Sequence, residues 1–166
     1  NLDNTAPTCT ITGLPTDWTT SATLTVIGTD SQSGVSGYSW DGTNYSTTQT
    51  KSITANGTYT AYVKDNVGRI KNCSASVTKI DTTAPTVAFG TNGNSTYAKS
   101  QSTKVTVTDN LSGVATLKYQ WTTSTTAPFA STFTTSFTNG STITKATGTG
   151  SYYLWILAYD KAGNEI

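Results

Sequence analysis

Apolar and polar residues alternate over short distances along this chain. Thr23-Leu24-Thr25-Val26 and Lys104-Val105-Thr106-Val107-Thr108 place apolar side chains on one side and Thr or Lys on the other. That is the period of a half-buried antiparallel strand. The pattern recurs at Tyr59, Ala61, Val63 and Asp65, and again at Tyr152, Leu154, Ile156, Ala158 and Asp160. Turn signals stand between such runs: Asp41-Gly42, Asn56-Gly57, Asn92-Gly93 and Asn139-Gly140. No window carries the Ala, Leu, Glu, Lys and Arg content of a long helix. The pattern predicts an all-β chain of short strands.

The strands come in two matched sets. Residues 3–8 read DNTAPT and residues 81–86 read DTTAPT. Trp18 answers Tyr97, ahead of strands that hold Val26 and Val105. Asp30-Ser-Gln-Ser-Gly34-Val35 answers Asp109-Asn-Leu-Ser-Gly113-Val114, and Tyr38-Ser-Trp40 answers Tyr119-Gln-Trp121. Finally, Gly57-Thr-Tyr59 through Asp65-Asn-Val-Gly68 answers Gly150-Ser-Tyr152 through Asp160-Lys-Ala-Gly163. The last alternating run is two residues longer in the second copy. An insertion of two keeps the inward face inward, whereas an insertion of one would turn it to water. Two tandem domains follow, residues 1–80 and 81–166, joined near Ile80 to Thr83 by a linker that Pro85 stiffens.

Composition sharpens this picture. Thr supplies 39 of the 166 residues and Ser 18, and Thr, being β-branched, suits a pleated surface. Apolar residues at 34%, with nine Tyr and four Trp, are enough for a packed core, so the chain is not a disordered Ser/Thr-rich stalk. A net charge of +1 without a Lys/Arg cluster gives no footprint for nucleic acid. No apolar run approaches the roughly 20 residues of a membrane-spanning helix. No signal peptide opens the chain at Asn1, which reads as a mature or excised segment of something longer.

About seven short strands per copy fit two packed sheets of the immunoglobulin type. Trp40 and Trp121 are then expected in the centre of each sandwich. Tyr59 and Tyr152 fall where a tyrosine corner would lie, at the start of the penultimate strand. The opening D-x-T-A-P-T, the Asp-x-x-Ser-Gly-Val turn, the Tyr-x-Trp strand and the Gly-x-Tyr…Asp-x-x-Gly closing turn span nearly the whole chain. Together these phrases resemble the bacterial immunoglobulin-like modules found in tandem in secreted and cell-surface proteins. The resemblance implies a fold far more than a function, since such modules serve as spacers, adhesin segments and enzyme appendages alike.

Cys9 lies on the first strand and Cys73 on the last strand of the first copy, both at inward parity beside Ile11, Ala75 and Val77. First and last strands of such a sandwich can be neighbours, so a disulfide is expected, with two buried thiols as the alternative. A bridge implies an oxidising, extracytoplasmic setting and closes a loop worth about 4 kcal/mol. The second copy has Val87 at the Cys9 position and no partner.

The aspartates form a second candidate. The path of the chain brings Asp3, Asp30 and Asp65 to one pole of the first sandwich, and Asp81, Asp109 and Asp160 are the matching set. Such oxygen ligands can hold Ca²⁺, a hard cation that takes six to eight of them; alternatively each Asp caps its own turn. The second copy also carries an extra stretch from Thr122 to Thr149 with Phe129, Phe133 and Phe137. Phe133 and Phe137 share a face, and either complete the core or form an aromatic platform for sugar rings.

Catalysis finds little support. The chain has no His, so Ser-His and Cys-His nucleophile systems are excluded within it. Paired-carboxylate hydrolysis needs a cleft, whereas these aspartates sit on tight turns. Lys64, Lys104 and Lys118 fall at outward parity, against an internal Lys–Asn cross-link. The second copy stops at Glu165-Ile166 without a final strand, which reads either as truncation of a longer array or as an edge awaiting another chain's strand. The expected function is a non-catalytic, extracellular spacer of a bacterial surface, secreted or filament-forming protein. Its partners are then neighbouring immunoglobulin-like domains of the same chain, with a host glycan or protein, or another copy by strand addition, as further possibilities. An adhesin or carbohydrate-binding module and an accessory domain of a secreted hydrolase are the alternatives.

Overall fold

A computed structural model describes residues 2–93, 96–145 and 147–166. The chain is all-β, two tandem immunoglobulin-like sandwiches, and the described residues hold no α-helix. It divides into compact units Asn1–Thr82 and Thr83–Ile166. The division follows Thr82 because the preceding residues are tied backward: the Asn56 side-chain amide bonds both backbone groups of Ile80, and the Asp81 N–H donates to the Thr19 carbonyl.

In the first unit, β1 (Thr10–Thr12), β2 (Ala22–Ile27) and β4 (Thr50–Ile53) form one antiparallel sheet in the order β1-β2-β4. The other sheet has the order β3-β5-β6, from β3 (Val35–Ser39), β5 (Gly57–Asp65) and β6 (Ile70–Val77). Both sheets feed one core. Leu24 and Val26 of β2, Ile53 of β4, Ala61 and Val63 of β5 and Val77 of β6 are buried together with Ile11 and Ile80. The alternation along β5 is the one the sequence predicts, with Ala61, Val63 and Asp65 all buried. A seventh strand is reduced to a single bridge between Tyr38 and Ser46.

In the second unit, β7 (Thr86–Phe89), β8 (Gln101–Thr108) and β11 (Thr142–Lys145) make the sheet β11-β8-β7. Opposite lies β10-β9-β12, from β9 (Val114–Thr122), β10 (Thr135–Ser136) and β12 (Tyr153–Asp160). Val105, Val107, Ile143 and Ala158 are its buried centre. On the outer side of β12, Ile166 and Ala158 exchange both backbone hydrogen bonds, and Glu165 bridges Tyr159.

The repeat is visible in the backbone. Gly34 and Gly113 both have φ 82°, and Gly68 and Gly163 have φ 94° and 93°. A side chain strains such left-handed turns, so glycine is the residue both copies place there. Each copy also skips one residue at the same place in the ladder, Ser36 between Val35 and Gly37 in the first and Ala115 opposite Tyr159 and Asp160 in the second.

One expectation is corrected. Trp40 and Trp121 are half-buried and pack against the cores rather than filling their centres, which belong to Leu24, Val26 and Val63 and to Val105 and Val107. Trp40 lies one residue beyond β3, and Trp121 is the penultimate residue of β9. Tyr97, matched by sequence to half-buried Trp18, is 94% exposed.

Candidate functional site

The aspartates sit where strands end, and local chemistry explains their positions. An Asp side chain can hydrogen-bond the backbone two to four residues on and so fix a turn. Asp3 Oδ1 accepts from Thr5 N–H at 2.9 Å. Asp30 Oδ1 accepts from Gln32, Ser33 and Gly34 N–H at 3.1, 2.7 and 2.8 Å. Asp65 Oδ1 accepts from Val67 and Arg69 N–H at 2.9 and 2.7 Å. Turn capping is therefore real for all three.

The turns also converge. One carboxylate oxygen from each of Asp3, Asp30 and Asp65 lies within 4.8 Å of the other two. Two like charges about 4 Å apart repel by about 4 kcal/mol at an effective dielectric of 20, so the cluster needs compensation. Part comes from Arg69, whose guanidinium stands 3.8 Å from Asp3 Oδ1 with 38% of its side chain exposed. The Ser33 hydroxyl, the Thr5 N–H and Arg69 together hold the Asp3 carboxyl below its ordinary range. Asp3 Oδ2 and Asp65 Oδ2 remain buried without a hydrogen-bond donor.

In the second unit Asp109 and Asp160 repeat the turns. Asp109 accepts from Leu111 and Gly113 N–H, and Asp160 from Ala162 and Asn164 N–H. A carboxylate oxygen of each lies within 4.8 Å of the other, and Asp109 Oδ2 is buried without a donor. Asp81, the matching third position, belongs by its backbone to the first unit.

Cys9 and Cys73 are joined in a disulfide, with Cα atoms 5.5 Å apart and a separation of 64 positions in sequence. Cys9 immediately precedes β1 and Cys73 lies on β6. The bond thus ties the strand on which the chain enters the first unit to the strand on which it leaves, one in each sheet.

The aromatic candidates separate. The Tyr59 hydroxyl donates to the Ala55 carbonyl at 2.7 Å, the backward bond of a tyrosine corner. Among the described residues the Tyr152 hydroxyl makes no matching hydrogen bond, although it lies close against Gly148, four residues back. Tyr152 lies just ahead of β12, with the Lys145 ammonium 4.4 Å above its ring. Phe137 packs into the second core, edge-on to Tyr119, and Phe133 is 5% exposed, so neither offers a platform; Phe129 is exposed. Sequence parity gave no notice of a groove in the second unit, a cavity of about 890 Å³ with Phe89, Tyr97, Trp121, Tyr152, Tyr153 and Trp155 among its lining residues. These aromatics are scattered over four segments, and only the fold collects them.

No protein-family model and no curated protein matches the chain. Among solved structures it is similar to the fibronectin(III)-like modules of Clostridium thermocellum CbhA. The match has 16% identity and a TM-score of 0.41, and covers 96% of this chain and 88% of that one.

Chemically, the first pole is a cluster of hard oxygen donors, with Oδ1 of each aspartate committed to backbone N–H groups. Asp41 is another fixed carboxylate: the Asn44 side chain and backbone, the Thr43 N–H and the Ser39 hydroxyl depress its pKa far below the ordinary value. Among the described residues, no helix is long and apolar enough to cross a membrane.

Proposed function

We propose that the chain is a non-catalytic spacer, two modules of a longer extracellular protein of a bacterial surface, secretion or filament system. The observation that carries this reading is the Cys9–Cys73 bond. A tandem module transmits tension through its first and last strands. A covalent link between those strands carries the load directly, so the residues between them are shielded. A persistent disulfide also belongs to an oxidising compartment, which supports the extracellular assignment. Turn carboxylates bonded into their own backbone and Thr-rich outer faces suit a solvated structural element. Its partners in this reading are neighbouring immunoglobulin-like domains of the same chain.

Stretching the full chain by its ends in a single-molecule experiment tests the proposal. Reduction is expected to lengthen the extension released by the first unit by about 220 Å, from 64 residues at about 3.3–3.6 Å each. Equal extensions before and after reduction would remove the load-bearing role.

A second reading, a carbohydrate-binding module, is favoured by the aromatic groove of the second unit. Aromatic faces and a few polar groups in a concave site are the usual means of holding a small ligand. Saturable binding of oligosaccharides to the full chain, lost in Trp155→Ala, would shift the assignment from spacer to adhesive module.

A further inference from the structure

We propose that the chain modifies itself at Asn92, which loses ammonia to become aspartate or isoaspartate, while its other Asn-Gly pairs stay intact. This property is independent of the spacer role. Three such pairs stand in the sequence, Asn56-Gly57, Asn92-Gly93 and Asn139-Gly140. The chemistry available to each is the same. The backbone nitrogen of the glycine, once deprotonated, attacks the asparagine Cγ, and no Cβ crowds that nitrogen. The side-chain amide nitrogen leaves as ammonia and a succinimide ring closes. Water then opens either carbonyl of the ring, giving aspartate or the isomer whose main chain runs through the side chain. No electrons are transferred, and water is the co-reactant.

Exposure does not separate the three asparagines, since all are exposed. Hydrogen bonding does. Asn56 Nδ2 donates to the Ile80 carbonyl and Asn56 Oδ1 accepts from the Ile80 N–H, both at 2.8 Å. Asn139 makes the same pair of bonds with Val107, at 2.7 and 2.8 Å. Neither amide swings onto the following nitrogen without breaking both bonds. The glycines are fixed too: the Gly140 N–H donates to the Val105 carbonyl at 2.9 Å, and Gly57 pairs with Val77.

Asn92 has none of these restraints. It lies between β7 and β8, and among the described residues neither its side chain nor the Gly93 N–H has a hydrogen-bond partner. A Cβ on Gly93 would meet nothing described within 4 Å, so the approach to its nitrogen is open. The product changes its surroundings. Asn92 and Gly93 line the groove of the second unit together with Lys99 and Lys145, and its described lining holds no carboxylate. Conversion puts one there and takes one unit from the net charge of +1.

The test is incubation of the full folded chain at mildly alkaline pH, followed by trypsin digestion and fragmentation mass spectrometry. The three pairs fall in separate peptides, residues 52–64, 80–99 and 119–145. Asn92 is expected to convert at least about tenfold faster than Asn56 or Asn139, because two hydrogen bonds must open before either of those reacts. In denaturant, with the disulfide reduced, the three rates are expected to converge. An acidic form should accumulate on ion exchange, and Asn92→Gln, whose longer side chain closes a ring less readily, should suppress it. Conversion at Asn56 or Asn139 as fast as at Asn92 in the folded chain would overturn the proposal. So would rates that differ as much in denaturant, or an acidic form that accumulates equally in Asn92→Gln.

Discussion

The two units share their turns and differ in how they are closed. In the first, β6 pairs with β5 over eight positions, from Gly57–Val77 to Lys64–Ile70, and Cys73 on β6 is bonded to Cys9. In the second, Val87 stands where Cys9 does, so no such bond can form there. Among the described residues, the main core cluster holds eight buried apolar residues in the first unit and four in the second. A turn is a local device that needs an Asp, a Gly and a few N–H groups, and it survives copying intact. A disulfide is a long-range device that needs two cysteines brought together by the fold, and only the first copy carries them.

The largest test of this contrast is the disulfide. Reduction, or Cys9→Ala with Cys73→Ala, is expected to cost the first unit about 4 kcal/mol, the chain-entropy value for a loop of this length. In calorimetry of the full chain its transition should fall on the order of 15 °C or more, while that of the second unit stays in place. Transitions that move together would show that the closures are not independent.

A second test concerns how the cores are filled. The ladders pair Thr8 with Thr29 and Thr86 with Thr108, through hydroxyl contacts of 2.8 and 2.9 Å. That register sets Gly28 against Val107. Likewise, the closing turns set Val63 against Ala158. A Cβ on Gly28 would lie 2.5 Å from Val63 Cγ1. The first unit therefore combines a glycine with a valine, where the second combines a valine with an alanine. The same space is filled from opposite sheets. Gly28→Val is expected to cost about 1–3 kcal/mol by overpacking, and Val63→Ala about 2 kcal/mol by leaving a cavity. The double variant should cost less than the sum by about 1–3 kcal/mol in denaturant melts. Simple additivity would sink the exchange.

Much of this was legible in the sequence, and the rest was not, for physical reasons. Parity along β5 and β12 fixed which residues face inward, because a period of two leaves no choice once one face is buried. The turn aspartates and glycines could be read because their chemistry spans four residues or fewer. Trp40 and Trp121 could not be placed: parity gives a side, but depth depends on where the sheets part. Leu157 is buried at 5% although it has the opposite parity to Ala158, and Phe133 is equally buried outside the main core. An outward face of β12 is thus covered, which no strand pattern announces. The orphaned oxygens of Asp3 and Asp65 belong to the same class, since they depend on three turns meeting in space.

The smallest expected effect tests the tyrosine corner. Tyr59 and Tyr152 occupy matching sequence positions, yet among the described residues only the Tyr59 hydroxyl has a backward hydrogen bond, to the Ala55 carbonyl at 2.7 Å. The Tyr152 ring stacks under the Lys145 ammonium, and that contact uses the ring face rather than the hydroxyl. Tyr59→Phe removes one hydrogen bond and is expected to cost about 1 kcal/mol, lowering the first transition by about 4–8 °C. Tyr152→Phe keeps the ring and should move the second transition by less than about 2 °C. Equal shifts in the two variants would mean that the second copy forms the corner in solution after all, and that the difference in closure does not extend to this strand end.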